Sequence, residues 1–129
     1  MPKLAKVLLV DDDLDFIAAT RAVLETLPCE IVTANTGEEG LRMAKQEMPD
    51  LILMDVIMPV RDGFTAAEQI KKDPQLRAIP VIMLTAFSAV GQGSSIPRNR
   101  GMSLETEDYL EKPVKPSDLL AKVRPFLRT

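Results

Sequence analysis

The residues of this 129-residue chain that could do chemistry are Asp11-Asp12-Asp13, Asp55, Thr85 and Lys112, and there is no histidine anywhere. That absence removes the commonest general base and a common zinc ligand together, so histidine-based triads and zinc sites are excluded. Carboxylates, a hydroxyl and an amine remain, a donor set for hard cations and phosphoryl groups. Three acids in a row repel one another unless a cation compensates them. Mg2+ uses one or two carboxylates, waters and phosphate oxygens, so Asp12 and Asp55 suit direct contact and Asp11 contact through water. An ionised carboxylate attacks phosphorus without a general base, which makes Asp55 a candidate nucleophile that would become an acyl phosphate. The metal and Lys112 would neutralise the transferring oxygens while the Thr85 hydroxyl donates to one of them. A new charge of roughly −1.5 to −2 would then draw Thr85 and Lys112 inward.

These side chains must be brought together by elements far apart in sequence. Leu51-Ile52-Leu53-Met54 is a continuous apolar run that ends in Asp55, and Ala5 to Val10 is another that ends in Asp11. Both read as buried parallel strands that deliver an acid at the carboxyl edge of the sheet. Glu30 to Ala34, Val81 to Thr85 and Asp108 to Glu111 read as further strands. Helical spacing predicts helices over Leu14 to Leu27, Gly40 to Glu47, Phe64 to Lys72 and Ser117 to Leu127, with Pro125 disturbing the last. Thr36 and Glu39 have capping-box spacing, and Asp13 and Asp15 suit the first turn of the first helix. Strands alternating with helices predict an α/β fold: a flavodoxin-like, doubly wound, five-stranded parallel sheet of order 2-1-3-4-5 with helices on both faces. In that order the first and third strands are neighbours at the switch point, so Asp11, Asp12 and Asp55 converge, with Thr85 and Lys112 on the same side.

Composition bounds the rest. With 46% hydrophobic and 27% charged residues, 129 residues make one domain with a single core. Sixteen Lys and Arg against 19 Asp and Glu give a net charge of −3, which offers no basic face for direct nucleic-acid binding. The single cysteine, Cys29, cannot form an internal disulfide, and no apolar run approaches the roughly 20 residues that span a bilayer. A cytoplasmic location without membrane insertion is the expectation.

Asp11-Asp12, Asp55, the loop with Met58-Pro59 and Asp62-Gly63, Thr85-Ala86 and Lys112-Pro113 together resemble a CheY-like receiver domain of two-component response regulators. The likeness spans essentially the whole chain, 1–129. It implies that Asp55 is the phosphoacceptor, that Asp11, Asp12, Asp55 and the Ile57 backbone carbonyl bind Mg2+, and that Lys112 contacts the phosphoryl group. It also implies switch roles for Thr85 and Tyr109 and a cis Lys112-Pro113 peptide. A sensor histidine kinase or a histidine phosphotransfer protein would be the donor, and a downstream effector or an output domain beyond this sequence would be the listener. Such a domain promotes only its own phosphorylation and dephosphorylation and is not otherwise an enzyme.

The chain departs from the family pattern between Thr85 and Lys112. Gly91, Gly93, Ser94, Ser95, Pro97 and Gly101 interrupt any helical period there. The helix that normally joins the fourth and fifth strands is therefore expected to be irregular or missing, with 88–108 a mobile insertion that either serves a particular partner or has no role. Homodimerisation stays open, because that segment often carries it. Ile57 and Phe87 are apolar where the family tunes access of hydrolytic water, which predicts slow loss of the phosphoryl group. Three other readings of the acids compete with this one. A receiver-like scaffold that is never phosphorylated retains the same site. A haloacid-dehalogenase-type phosphatase would use Asp11 and Asp13, yet the chain is too short for the customary cap. A calcium loop beginning at Asp11 fails, because Phe16 stands where glycine is needed and Ala22 where the bidentate glutamate belongs.

Overall fold

The computed structural model describes residues 4–55, 62–86, 108–112 and 114–127. In chain order the elements are β1 (Ala5–Val10), α1 (Leu14–Leu24), β2 (Cys29–Ala34), α2 (Gly37–Glu47), β3 (Leu51–Asp55), α3 (Asp62–Lys72), β4 (Val81–Ala86), β5 (Asp108–Lys112) and α4 (Pro116–Val123). A 3-10 turn, Arg124–Leu127, closes the series. All strand pairings are parallel and the order is β2-β1-β3-β4-β5. The winding reverses beside β1, as the alternation of apolar strands and amphipathic helices requires.

Successive strand residues face opposite sides of the sheet, and both sides are covered. Leu8, Val10, Ile52, Met54, Val81 and Met83 build one core with Ala44 of α2 and Ala66, Ala67 and Ile70 of α3. Val7, Leu9, Leu51, Leu53, Ile82 and Leu84 build the other with Ile17 and Leu24 of α1 and Leu119 and Val123 of α4. The sheet thus divides two buried layers where composition alone suggested one core. α2 lies close to β1 because Gly40 has no side chain: a Cβ there would stand 2.8 Å from Val10 Cγ2 and 3.0 Å from Cγ1.

Several boundaries differ from the sequence-based expectation, each for a local reason. α1 ends at Leu24 instead of Leu27 because Thr26 N–H and Leu27 N–H reach back only three residues, to Val23 O and Leu24 O, and the Thr26 hydroxyl also donates to Val23 O at 2.7 Å. Side-chain bonding of this kind competes with the helical ladder. α2 begins at Gly37, where the Thr36 hydroxyl oxygen accepts from Glu39 N–H at 3.0 Å. The reciprocal bond of the capping box is displaced by one residue, since Glu39 Oε1 accepts from Asn35 N–H at 2.7 Å. α3 begins at Asp62, two residues before Phe64, and stops at Asp73-Pro74, where Asp73 Oδ1 accepts from Gln75 N–H. The connection from α3 to β4 sends Leu76 and Ile79 into the first core. The last helix gives way to the 3-10 turn at Arg124-Pro125, where a proline lacks the N–H to continue.

Candidate functional site

At the carboxyl edge of the sheet, β1 hands over to Asp11 and β3 ends on Asp55. Val10 pairs with Met54 across these two strands, so their terminal acids come out side by side. Each of Asp11, Asp12 and Asp55 offers a carboxylate oxygen, and these atoms all lie within 4.8 Å of one another. Asp11 has no solvent exposure and Asp55 is 2% exposed, while Asp12 is open to solvent. Two desolvated carboxylates and one solvated one thus share a single small volume at the sheet edge.

Asp11 is held through both its main chain and its side chain. Its N–H donates to Ala34 O at 3.0 Å, which ties the end of β1 to the end of β2. Its Oδ1 accepts from Asp13 N–H at 2.9 Å. Asp13 in turn is the N-cap of α1, extended at φ −91° and ψ 104°, and its Oδ1 accepts from Asp15 N–H at 3.0 Å and Phe16 N–H at 3.1 Å. Sequence reasoning treated Asp13 as an acid favoured by the helix dipole and missed this cap. The signal was present: an Asp placed immediately before the first helical residue is the usual N-cap arrangement.

For the other expected residues the backbone register gives a position. Asp55 pairs with Leu84, so Thr85 follows directly at the same edge, and Thr85 and Ala86 pair with Glu111 and Lys112 of β5. Tyr109 pairs with Met83, further inside the sheet. Ile57, Phe87, Pro113 with the expected cis peptide, and all of 88–108 except Asp108 lie outside the described residues. The carboxylate cluster is therefore brought together in atomic detail, and Thr85, Tyr109 and Lys112 are placed by register.

The donor chemistry of the cluster, three hard oxygen ligands with two of them buried, fits a hard divalent cation such as Mg2+. Fold and cluster together define a class: a doubly wound α/β domain that gathers carboxylates at its topological switch point. The family model for the response regulator receiver domain matches residues 7–124, and the chain belongs to that family. It is a two-component receiver, a phosphoacceptor signalling domain rather than an enzyme.

The probable transcriptional regulator ycf27 of Guillardia theta is 40% identical over 127 residues, covering 95% of this chain and 45% of that protein. Among solved structures, the chemotaxis response regulator CheY4 of Vibrio cholerae superposes with a TM-score of 0.82 at 30% identity, covering 97% of this chain and 100% of that one. The receiver domain of the sensor histidine kinase PA1611 from Pseudomonas aeruginosa PAO1 superposes with a TM-score of 0.82 at 28% identity, covering 97% and 98%. That structure has a magnesium ion coordinated in its active-site cleft. The chain spans about half the length of the ycf27 relatives it matches. Among the described residues, no helix is long and apolar enough to cross a membrane.

Proposed function

We propose that Asp55 accepts a phosphoryl group from the phosphohistidine of a sensor histidine kinase or a histidine phosphotransfer protein, in a Mg2+-dependent reaction. Thr85, Tyr109 and Lys112 then convert the new charge into altered binding of an effector or output domain. The reading rests above all on the Asp11, Asp12 and Asp55 carboxylates gathered within 4.8 Å at the sheet edge. Asp11, Asp12 and Asp55 would hold the ion, with the Ile57 backbone carbonyl as a further ligand by family likeness. Bound there, Mg2+ supplies positive charge to the phosphoryl oxygens and offsets the mutual repulsion of the acids.

The chain's own residues do the rest. An Asp55 oxygen forms the new P–O bond as the donor's P–N bond breaks, and the electron pair of that bond stays on the donor imidazole, which takes up a proton. The donor imidazole comes from outside these 129 residues, because they contain no histidine. Asp55 stands nearly buried at the end of a strand, which limits the approaches open to the donor phosphoryl group. The Lys112 ammonium and the Thr85 hydroxyl answer the added charge. Their support is the register, which sets Thr85 one residue beyond the partner of Asp55 and Lys112 on the adjoining strand.

Residues 1–129 act as one receiver in the cytoplasm, in keeping with a single cysteine. The test is intact mass after incubation with acetyl phosphate and Mg2+, alongside Asp55→Ala and a metal-free sample. One phosphoryl group is expected on the wild type and on neither control. Undiminished uptake by Asp55→Ala would move the acceptor elsewhere and sink the assignment.

A further inference from the structure

Asp13 is used by none of the steps above, yet its amide and its carboxylate each make a contact that bears on the cluster. Its N–H is bonded to Asp11 Oδ1 at 2.9 Å, and Asp11 is fully buried. Its carboxylate is bonded to the first free amides of α1, those of Asp15 and Phe16, at 3.0 and 3.1 Å. The Asp13 peptide is thereby held between a helix end and the acid of the cluster. An N-cap side chain fixes the extended backbone of its own residue, here φ −91° and ψ 104°, and so fixes the direction in which its N–H points. A carboxylate that accepts a fixed N–H loses rotation about its terminal bond. Groups that hydrogen-bond a ligating carboxylate set its orientation, and their loss weakens metal affinity by roughly 10–100-fold.

From this geometry we propose that Asp13 is a positioning residue for Mg2+: by capping α1 it aims its own amide at Asp11 and presets that carboxylate for the ion. The proposal rests on the metal assignment of Asp11 given above. It also has a reciprocal side, since whatever steadies Asp11 must steady the start of α1. Mg2+ binding should then slow hydrogen exchange at the amides of Asp13, Asp15 and Phe16.

Charge and position can be told apart by substitution. Asn caps a helix as well as Asp does but carries no charge, whereas Ala carries neither the cap nor the charge. Calorimetric titration with MgCl2 would be run on the wild type, Asp13→Asn, Asp13→Ala and Thr36→Ala. The last removes the cap of α2, a different helix from the one that follows the cluster, and reports on generic loss of a helix cap. Melting temperatures of all four establish that each is folded. The expected result is Mg2+ affinity lowered about tenfold in Asp13→Ala, near the wild type in Asp13→Asn, and unchanged in Thr36→Ala. Exchange at the Asp15 and Phe16 amides should respond to Mg2+ in the wild type and in Asp13→Asn, and not in Asp13→Ala. Affinity in Asp13→Ala equal to the wild type overturns the proposal. So does equal weakening in Asp13→Asn and Asp13→Ala, which would make Asp13 a bare charge. Equal weakening in Thr36→Ala overturns it too, by making the effect one of general stability. A wild type that takes up no Mg2+ removes the metal assignment itself, and the two failures are thereby distinguishable.

Discussion

The three acids of the cluster carry the same carboxyl group in three different surroundings. Asp11 is held through its main chain by Ala34 and through its side chain by Asp13, Asp55 ends a buried strand, and Asp12 is left in water. The buried pair and the exposed third suit a cation that must enter with part of its water shell and leave again. Another single residue with a legible consequence is Met48, which closes α2 in the left-handed conformation at φ 46° and ψ 61° and is 51% exposed. That region costs an L-residue about 1–2 kcal/mol, and glycine adopts it freely. Met48→Gly is therefore expected to raise stability by about 0.5–1 kcal/mol in urea unfolding, after the greater entropy of an unfolded glycine is discounted. A loss of stability would mean that the Met48 side chain packs more than its exposure indicates. At this scale the acids Asp11, Asp12 and Asp55 were readable because apolar runs lead straight into them. The cap at Asp13 was harder to read, since an acid before a helix serves the dipole and the cap alike.

At the scale of elements, α2 lies close against β1 at Gly40. A Cβ on Gly40 meets a branched strand residue, Val10, whose side chain has a single stiff torsion to give way with. Gly40→Ala gains helix propensity, of order 1 kcal/mol, but must push the helix off the sheet, and overpacking of this kind costs about 1–3 kcal/mol. Net destabilisation is expected in denaturant unfolding, and Val10→Ala should relieve part of it, so that the double substitution costs less than the sum of the two single ones. Strict additivity would show that the helix shifts without touching Val10. Helix ends were the least readable elements. α1 ends three residues early because Thr26 offers its own hydroxyl to Val23 O, and nothing in the apolar spacing of Leu24 and Leu27 announces that competition. Strand identity was far easier, because runs such as Leu51-Ile52-Leu53-Met54 are apolar on both faces and leave few other readings.

The whole molecule is held at the end opposite the site by a second set of polar ties. Lys6 Nζ meets Glu47 Oε1 at 2.8 Å, joining β1 to the end of α2, with the two side chains 12% and 23% exposed. The hydrogen bond to Glu47, with the charges of Glu47, Glu30 and Asp50, raises the Lys6 pKa above its ordinary 10.5, against an opposing effect of burial. A folded-state pKa above the unfolded one gives stability that is whole below the unfolded value and is lost as pH rises through the folded one. Burial raises the Cys29 thiol above its ordinary 9.0 and acts in the same direction from a lower pH. Melting temperature is thus expected to fall from about pH 9 upward. The lower part of that fall should flatten in Cys29→Ala and the upper part in Lys6→Met. An alkaline profile unmoved by either substitution would trace the loss to other groups.

Those same termini bear on how the chain avoids folding one step out of place. A strand covered on both sides carries no hydrophobic mark of its own frame: if β3 slid by one residue, Leu51 and Leu53 would trade layers with Ile52 and Met54, and all four would stay buried. The usual penalty for a slip, apolar side chains turned to water, does not arise. What the slide would do is draw Asp50 or Asp55 in among the apolar neighbours of the sheet. It would also undo the paired bonds in which Asp50 N–H donates to Lys6 O and Lys6 N–H donates to Asp50 Oδ2, both at 2.7 Å. The acids flanking each apolar run act as its punctuation, so the charge that serves the site also tells the strand where to stop.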